Sequence, residues 1–161
     1  MLKYLVMQQV PILVEKEEVK IYRVISSSCV TLEQYYGAVP AGFPSPAADY
    51  IMEEIDLSKE LMPRPLSTFI VKVTGDSMIE AHIPPNARLV VDRSIKPRNN
   101  SIVVAVVNSE FTVKRFFKNS SGIRLMPANA RYLPIPITEG MEFSVWGVVT
   151  QIIIDPLKSE V

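Results

Sequence analysis

The sequence predicts a mainly β protein: a compact antiparallel domain preceded by a flexible N-terminal arm. Three observations carry this expectation. From Ser67 onward apolar residues recur with period two, as in Phe69, Val71 and Val73. Asn108-Ser109 separates the apolar runs Val103-Val104-Ala105-Val106-Val107 and Phe111-Thr112-Val113-Lys114-Arg115-Phe116, a two-residue hairpin signal. The strands between them are short and divided by Pro- and Asn-rich turns, which favours an antiparallel arrangement over a parallel sheet crossed by helices.

With 161 residues, one core is the expectation rather than two folded domains. Residues 1–36 mix a short β-like run, Lys20 to Ile25, with a Ser26-Ser27-Ser28 break and the Tyr35-Tyr36 pair. No sustained helical period appears there, which argues against a helix-turn-helix that reads DNA. Gly37-Ala38-Val39-Pro40-Ala41-Gly42-Phe43-Pro44-Ser45-Pro46 follows, and its prolines and glycines exclude regular structure. Such a segment is exposed and extended, the shape a protease cleft accepts, but composition by itself favours a plain linker. Ser45-Pro46 then reads as the start of a helix carrying Ala47, Ile51, Met52 and Ile55 and ending near Asp56. A second turn runs from Ser58 to Met62, closed by Pro63 and Pro65. Beyond it the expected strands are Thr68 to Val73, Ala87 to Asp92, Ile102 to Val107, Glu110 to Phe117, Gly122 to Met126 and Phe143 to Ile154.

The charge balance narrows the function. Seventeen basic side chains face seventeen acidic ones, and the pI is near 6.6, so no global positive field marks a protein that binds nucleic acid by itself. The single cysteine, Cys29, excludes an internal disulfide and fits a reducing, cytoplasmic setting. Met1 to Val14 is apolar but interrupted by Gln8, Gln9 and Pro11 and followed by Glu15-Lys16-Glu17-Glu18, which reads as neither an export signal nor a membrane span. His82 has no partner at metal-ligand spacing, and no cofactor motif is present, so neither metal nor cofactor is expected.

Chemistry concentrates at Gly75-Asp76-Ser77-Met78, after the first strong strand. A glycine there permits a sharp turn that leaves the Ser77 hydroxyl at the strand's end. A serine needs a base to take its proton. His82 is followed at once by Pro84-Pro85 and reads as a loop residue; Asp76 adjoins Ser77 along an extended backbone, points the other way and serves the turn. Lys114 interrupts an apolar strand, where burial disfavours its charge. Acting as a base requires lowering its reference pKa of about 10.4 by roughly 3 units, or about 4 kcal/mol. A Ser-Lys pair is one form of the serine and base logic; the alternative is a strand lysine with its head in water.

Ala41-Gly42 in the Pro-rich segment, Ser77 in Gly75-Asp76-Ser77-Met78-Ile79, and Lys114 in Glu110-Phe111-Thr112-Val113-Lys114 together resemble the self-cleaving LexA/UmuD family, and its UmuD branch most strongly. Gly42-Phe43-Pro44-Ser45-Pro46-Ala47-Ala48-Asp49-Tyr50, Val91-Asp92 and Trp146-Gly147-Val148-Val149 extend the likeness over about residues 42–155. Ser77 and Lys114 are 37 positions apart, and Ala41 precedes Ser77 by nearly the same span. The resemblance implies an SOS-response protein that cuts itself between Ala41 and Gly42, with Ser77 as nucleophile, Lys114 as base, and backbone amides of Asp76 and Ser77 as oxyanion donors. It implies an arm, residues 1–41, released from a β-rich peptidase-like domain, residues 42–161. It further implies a homodimer, stimulation by a RecA filament on single-stranded DNA, and a partnership of the trimmed form with a UmuC-type Y-family translesion polymerase, with no sequence-specific DNA binding of its own. A LexA-like or phage-type repressor shares the serine, the lysine and the cut but needs a DNA-reading domain ahead of them. A type I signal peptidase needs a membrane anchor, and a non-cleaving β-rich polymerase adaptor is the reading without catalysis. Two features differ from the family: the arm is longer, and Asn86-Ala87-Arg88 stands where Gly-Asp is common.

Overall fold

The structure, a computed structural model, describes residues 19–23, 31–35 and 52–157. In chain order the strands are β1 (Val19–Arg23), β2 (Thr31–Tyr35), β3 (Met52–Asp56), β4 (Thr68–Val73), β5 (Arg88–Asp92), β6 (Ile102–Val107), β7 (Glu110–Asn119), β8 (Gly122–Met126), β9 (Ile135–Ile137) and β10 (Phe143–Ile153), with one helix, α1 (Leu57–Leu61), among the described residues. Eight of them form an antiparallel sheet in the order β1-β4-β5-β10-β6-β7-β8-β9, and β2 pairs with β3 separately. The mainly β expectation holds.

The Asn108-Ser109 hairpin forms where the sequence places it. Both take positive φ, 48° and 66°, the twist that suits a two-residue turn between right-twisted strands. Val107 thereby faces Glu110, and Lys114 comes opposite Val103. Valines of β6 are buried on both sides: Val104 belongs to a cluster with Val71, Met78, Leu89 and Val113, and Val103 to another with Ala105, Phe116 and Leu125. A sheet covered on both faces needs continuous apolar runs, and Val103-Val104-Ala105 supplies one.

The long β10 serves two neighbours, β6 along its first half and β5 along its second. Register shifts between Val145 and Gly147 and between Val149 and Gln151 bend it to do so. Gly147 is required at the first bend, because a Cβ there would lie 2.6 Å from Val91 Cγ1 and 3.3 Å from the Asp92 carbonyl oxygen.

Two features differ from the expectation. Met52–Asp56 is strand, not the end of a helix; residues 45–51, where that helix was expected to begin, lie outside the described residues. The pairing that decides this, Thr31↔Asp56 to Tyr35↔Met52, comes from a strand distant in sequence, and such tertiary pairing overrides a weak helical preference. Asp56 instead caps α1, accepting the amides of Ser58 and Lys59 on its carboxylate at 3.0 and 3.2 Å. Second, β9 is not among the expected strands; its Pro136 is tolerated because β9 is the edge of the sheet. Where the family commonly has Gly-Asp, the turn after Pro84-Pro85 closes without glycine: Asn86 adopts φ 68°, a conformation asparagine also tolerates, and its amide donates to the Val73 carbonyl at 2.7 Å.

Candidate active site

At the end of β4, Val73 donates to the Ala87 carbonyl at 3.0 Å, which pins the strand before the chain turns through Gly75 and Asp76 to Ser77. Gly75 does not use its freedom to take positive φ, and a Cβ there would meet nothing within 4 Å. The turn is therefore shaped from outside rather than by its glycine. A distant loop, residues 127–132, does the shaping. Ala128 donates its amide to the Ser77 carbonyl at 2.9 Å, Glu80 donates to the Ala128 carbonyl at 2.8 Å, and the buried Asn129 side chain donates to the Asp76 carbonyl at 3.1 Å. Next to Ser77, Met78 is 1% exposed and anchors the turn in the core. The chain then closes in a 3-10 turn, Ile79–Ala81.

Asp76 does serve the turn. Its carboxylate accepts from Tyr132 Oη and Arg131 Nη2, and from Asn129 Nδ2 at 3.4 Å. The Tyr132 hydrogen bond, opposed by partial desolvation and assisted by the Arg131 charge and the residue's own amide, holds its carboxyl below the ordinary carboxylate range.

Lys114, 7% exposed on β7, meets this turn. Its Nζ lies 2.8 Å from Ser77 Oγ, and it donates at 3.0 Å to Thr112 Oγ1 and at 3.0 Å to the Val113 carbonyl. Thr112 is two residues before Lys114, so the alternation of a strand directs both side chains the same way. These groups line a cleft of about 200 Å³ with Phe111 and Tyr132. A larger cavity, about 350 Å³, lies elsewhere between Pro84–Arg88 and Ile153–Asp155, and none of the expected site residues lines it. His82 is exposed at φ 59° and, among the described residues, makes no hydrogen bond with Ser77. Ala41 and Gly42 lie outside the described residues. No group of three or more His, Cys, Asp and Glu side chains among the described residues can hold a metal ion, and no described helix is long and apolar enough to cross a membrane.

Thr112, Asn129, Arg131 and Tyr132 were not anticipated from the sequence. The first had a signal in its spacing from Lys114. The other three had none, because they reach Asp76 across separations of 53 to 56 residues.

A buried lysine amine within hydrogen-bond distance of a serine hydroxyl is the arrangement on which serine peptidases with lysine in place of histidine rely. Residues 34–150 match the Peptidase S24-like family, and the chain belongs to that family. It is 45% identical over 114 residues to Protein SamA of Salmonella typhimurium, covering 71% of this chain and 79% of that protein. To Protein MucA of Escherichia coli it is 39% identical over 125 residues, covering 75% and 83%. To the LexA repressor of Desulfatibacillum aliphaticivorans it is 40% identical over 119 residues, covering 73% of this chain and 58% of the repressor.

Proposed function

We propose that this chain cuts its own backbone between Ala41 and Gly42, with Ser77 as nucleophile and Lys114 as general base. The observation that carries the reading is the 2.8 Å approach of a buried lysine Nζ to Ser77 Oγ. Taking an ammonium out of water is costly, so the strand environment favours the neutral amine. A neutral amine has two N–H donors and one lone pair. Thr112 Oγ1 and the Val113 carbonyl each accept from Nζ at 3.0 Å, and Ser77 Oγ at 2.8 Å is close enough to pass its proton to the neutral amine.

In the first step Ser77 Oγ bonds to the Ala41 carbonyl carbon while its proton passes to Lys114. As the bond to Gly42 breaks, Lys114 gives that proton to the leaving amine. Water then attacks the Ser77 ester, losing a proton to Lys114, and as the ester bond breaks Lys114 returns that proton to Ser77 Oγ, which restores both groups. The backbone amides of Asp76 and Ser77 would stabilise the oxyanion that forms on the Ala41 carbonyl.

The likeness to the UmuD-like proteins supports a cytoplasmic SOS-response role. A RecA filament on single-stranded DNA would favour the conformer whose Pro-rich segment occupies the cleft. The product, residues 42–161, would act as a homodimeric accessory of a UmuC-type translesion polymerase. A repressor-like role finds less support, since the described parts of residues 1–41 are strands rather than recognition helices. The test is the intact mass of the purified chain after incubation from neutral pH to about 10, where a lysine increasingly loses its proton. Fragments 1–41 and 42–161 are expected from the native chain and not from Ser77→Ala. An uncut chain, with and without RecA filaments, would leave the non-cleaving adaptor as the better account.

A further inference from the structure

We propose that the outer edge of β4 is a strand-acceptor surface held by the chain's own arm, and that cutting between residues 41 and 42 leaves the arm paired to the body. The proposal takes the site of the cut from the self-cleavage reading but is testable without it. Two strands precede the cut, and each pairs with a strand that follows it. β1 lies antiparallel on β4 from Val19↔Val73 to Arg23↔Phe69, and β2 lies antiparallel on β3 from Thr31↔Asp56 to Tyr35↔Met52. Hydrolysis of one peptide bond between β2 and β3 breaks no hydrogen bond of the β1–β4 or β2–β3 ladders. What it removes is connectivity, so the arm changes from an intramolecular strand to a ligand whose retention depends on affinity.

The β4 edge has reason to keep it. β4 carries Val71, fully buried, and Val73, 8% exposed, and its other edge is already taken by β5. Without β1 the outward N–H and C=O groups of Thr68–Val73 form an unpaired edge next to the Ser77 turn, the kind of template to which an extended chain adds. A partner that docks by strand addition at β4 must therefore displace β1, and the cut makes that displacement possible by freeing the arm to leave. Cutting and release are two events, not one.

Native mass spectrometry of the cut protein separates them. The expected result is one arm fragment per body, the complex heavier than the uncut chain by one water, with denaturing conditions resolving residues 1–41 and 42–161. A body found without its arm immediately after cutting would overturn the proposal. Two variants test whether the ladder is the holding contact. Adjacent amides of a strand point to opposite sides, so only one of Lys20→Pro and Ile21→Pro removes a donor to β4. One variant is expected to lose its cut arm about tenfold more readily than the other. Equal behaviour of the two would contradict the ladder. If the chain does not cut itself, that failure belongs to the self-cleavage reading alone; retention is then read after cutting with a specific protease at a recognition sequence set within residues 37–46.

Discussion

The two ends of β4 each carry an aspartate cluster, built for different ends. At its start, Thr68 faces Asp92 across the ladder, and both are 2% exposed. Asp92 accepts from Ser67 Oγ at 2.9 Å, from the Ser94 amide and hydroxyl at 2.7 Å each, and from Arg64 Nη1 at 2.5 Å. Burial alone would raise its carboxyl, but these donors outweigh burial and lower it to about 2. At the far end, Asp76 is half-buried and its donors arrive from a loop more than fifty residues away. The first cluster is closed on itself and contributes stability. The second leaves Ser77 Oγ and Lys114 Nζ facing a cleft, and its hydrogen bonds fix where the hydroxyl sits.

The sharpest way to break this contrast is to remove the reacting groups. Ser77→Ala and Lys114→Ala should each lower self-cleavage by on the order of 10³-fold or more, read by intact mass, while Ser77→Ala melts like the native chain. The opposite pattern is expected at the other end. Asp92→Ala strips a buried hub and should cost about 3 kcal/mol in denaturant unfolding, with the cleavage rate of the folded fraction little changed.

Acid titration sharpens the difference further. A carboxyl lowered on folding stabilises the fold above its unfolded pKa and loses that contribution as pH falls. For Asp92 the loss falls between 3.8 and about 2, and amounts to roughly 2 kcal/mol. Equilibrium unfolding of the native chain should weaken through that window, and Asp92→Asn should flatten the trend. The smallest effect is expected from Asn129→Ala, which removes the donor to the Asp76 carbonyl: about 1 kcal/mol in stability, and a roughly tenfold slower cut through a displaced Ser77. A large loss of stability with an unchanged cutting rate would reverse the roles assigned to the two ends.

The same contrast explains what the sequence reveals. The Asn108-Ser109 hairpin, and strands β4, β6 and β8 to their terminal residues, follow from local alternation and turn chemistry. Ser77 and Lys114 stand out because an apolar strand has little use for a lysine and because the ordered motifs resemble a known family. Met52–Asp56 misleads because its conformation is set by β2, and a helical reading weighs only neighbours. Gly75 misleads in another way: the residue suggests a turn that depends on glycine, yet the turn is held by Ala128 and Asn129, whose positions in sequence carry no trace of the contact. Thr112 was legible, since period two sets it beside Lys114.

The most direct test of the central claim, that Lys114 takes the Ser77 proton, is the rate of cutting at Ala41-Gly42 as a function of pH in the native chain and in Lys114→Ala. The account predicts a rate that climbs with pH as the amine loses its proton and then levels, with cutting absent from the variant at every pH. A rate indifferent to pH, or a Lys114→Ala chain that still cuts at the native rate, would contradict it.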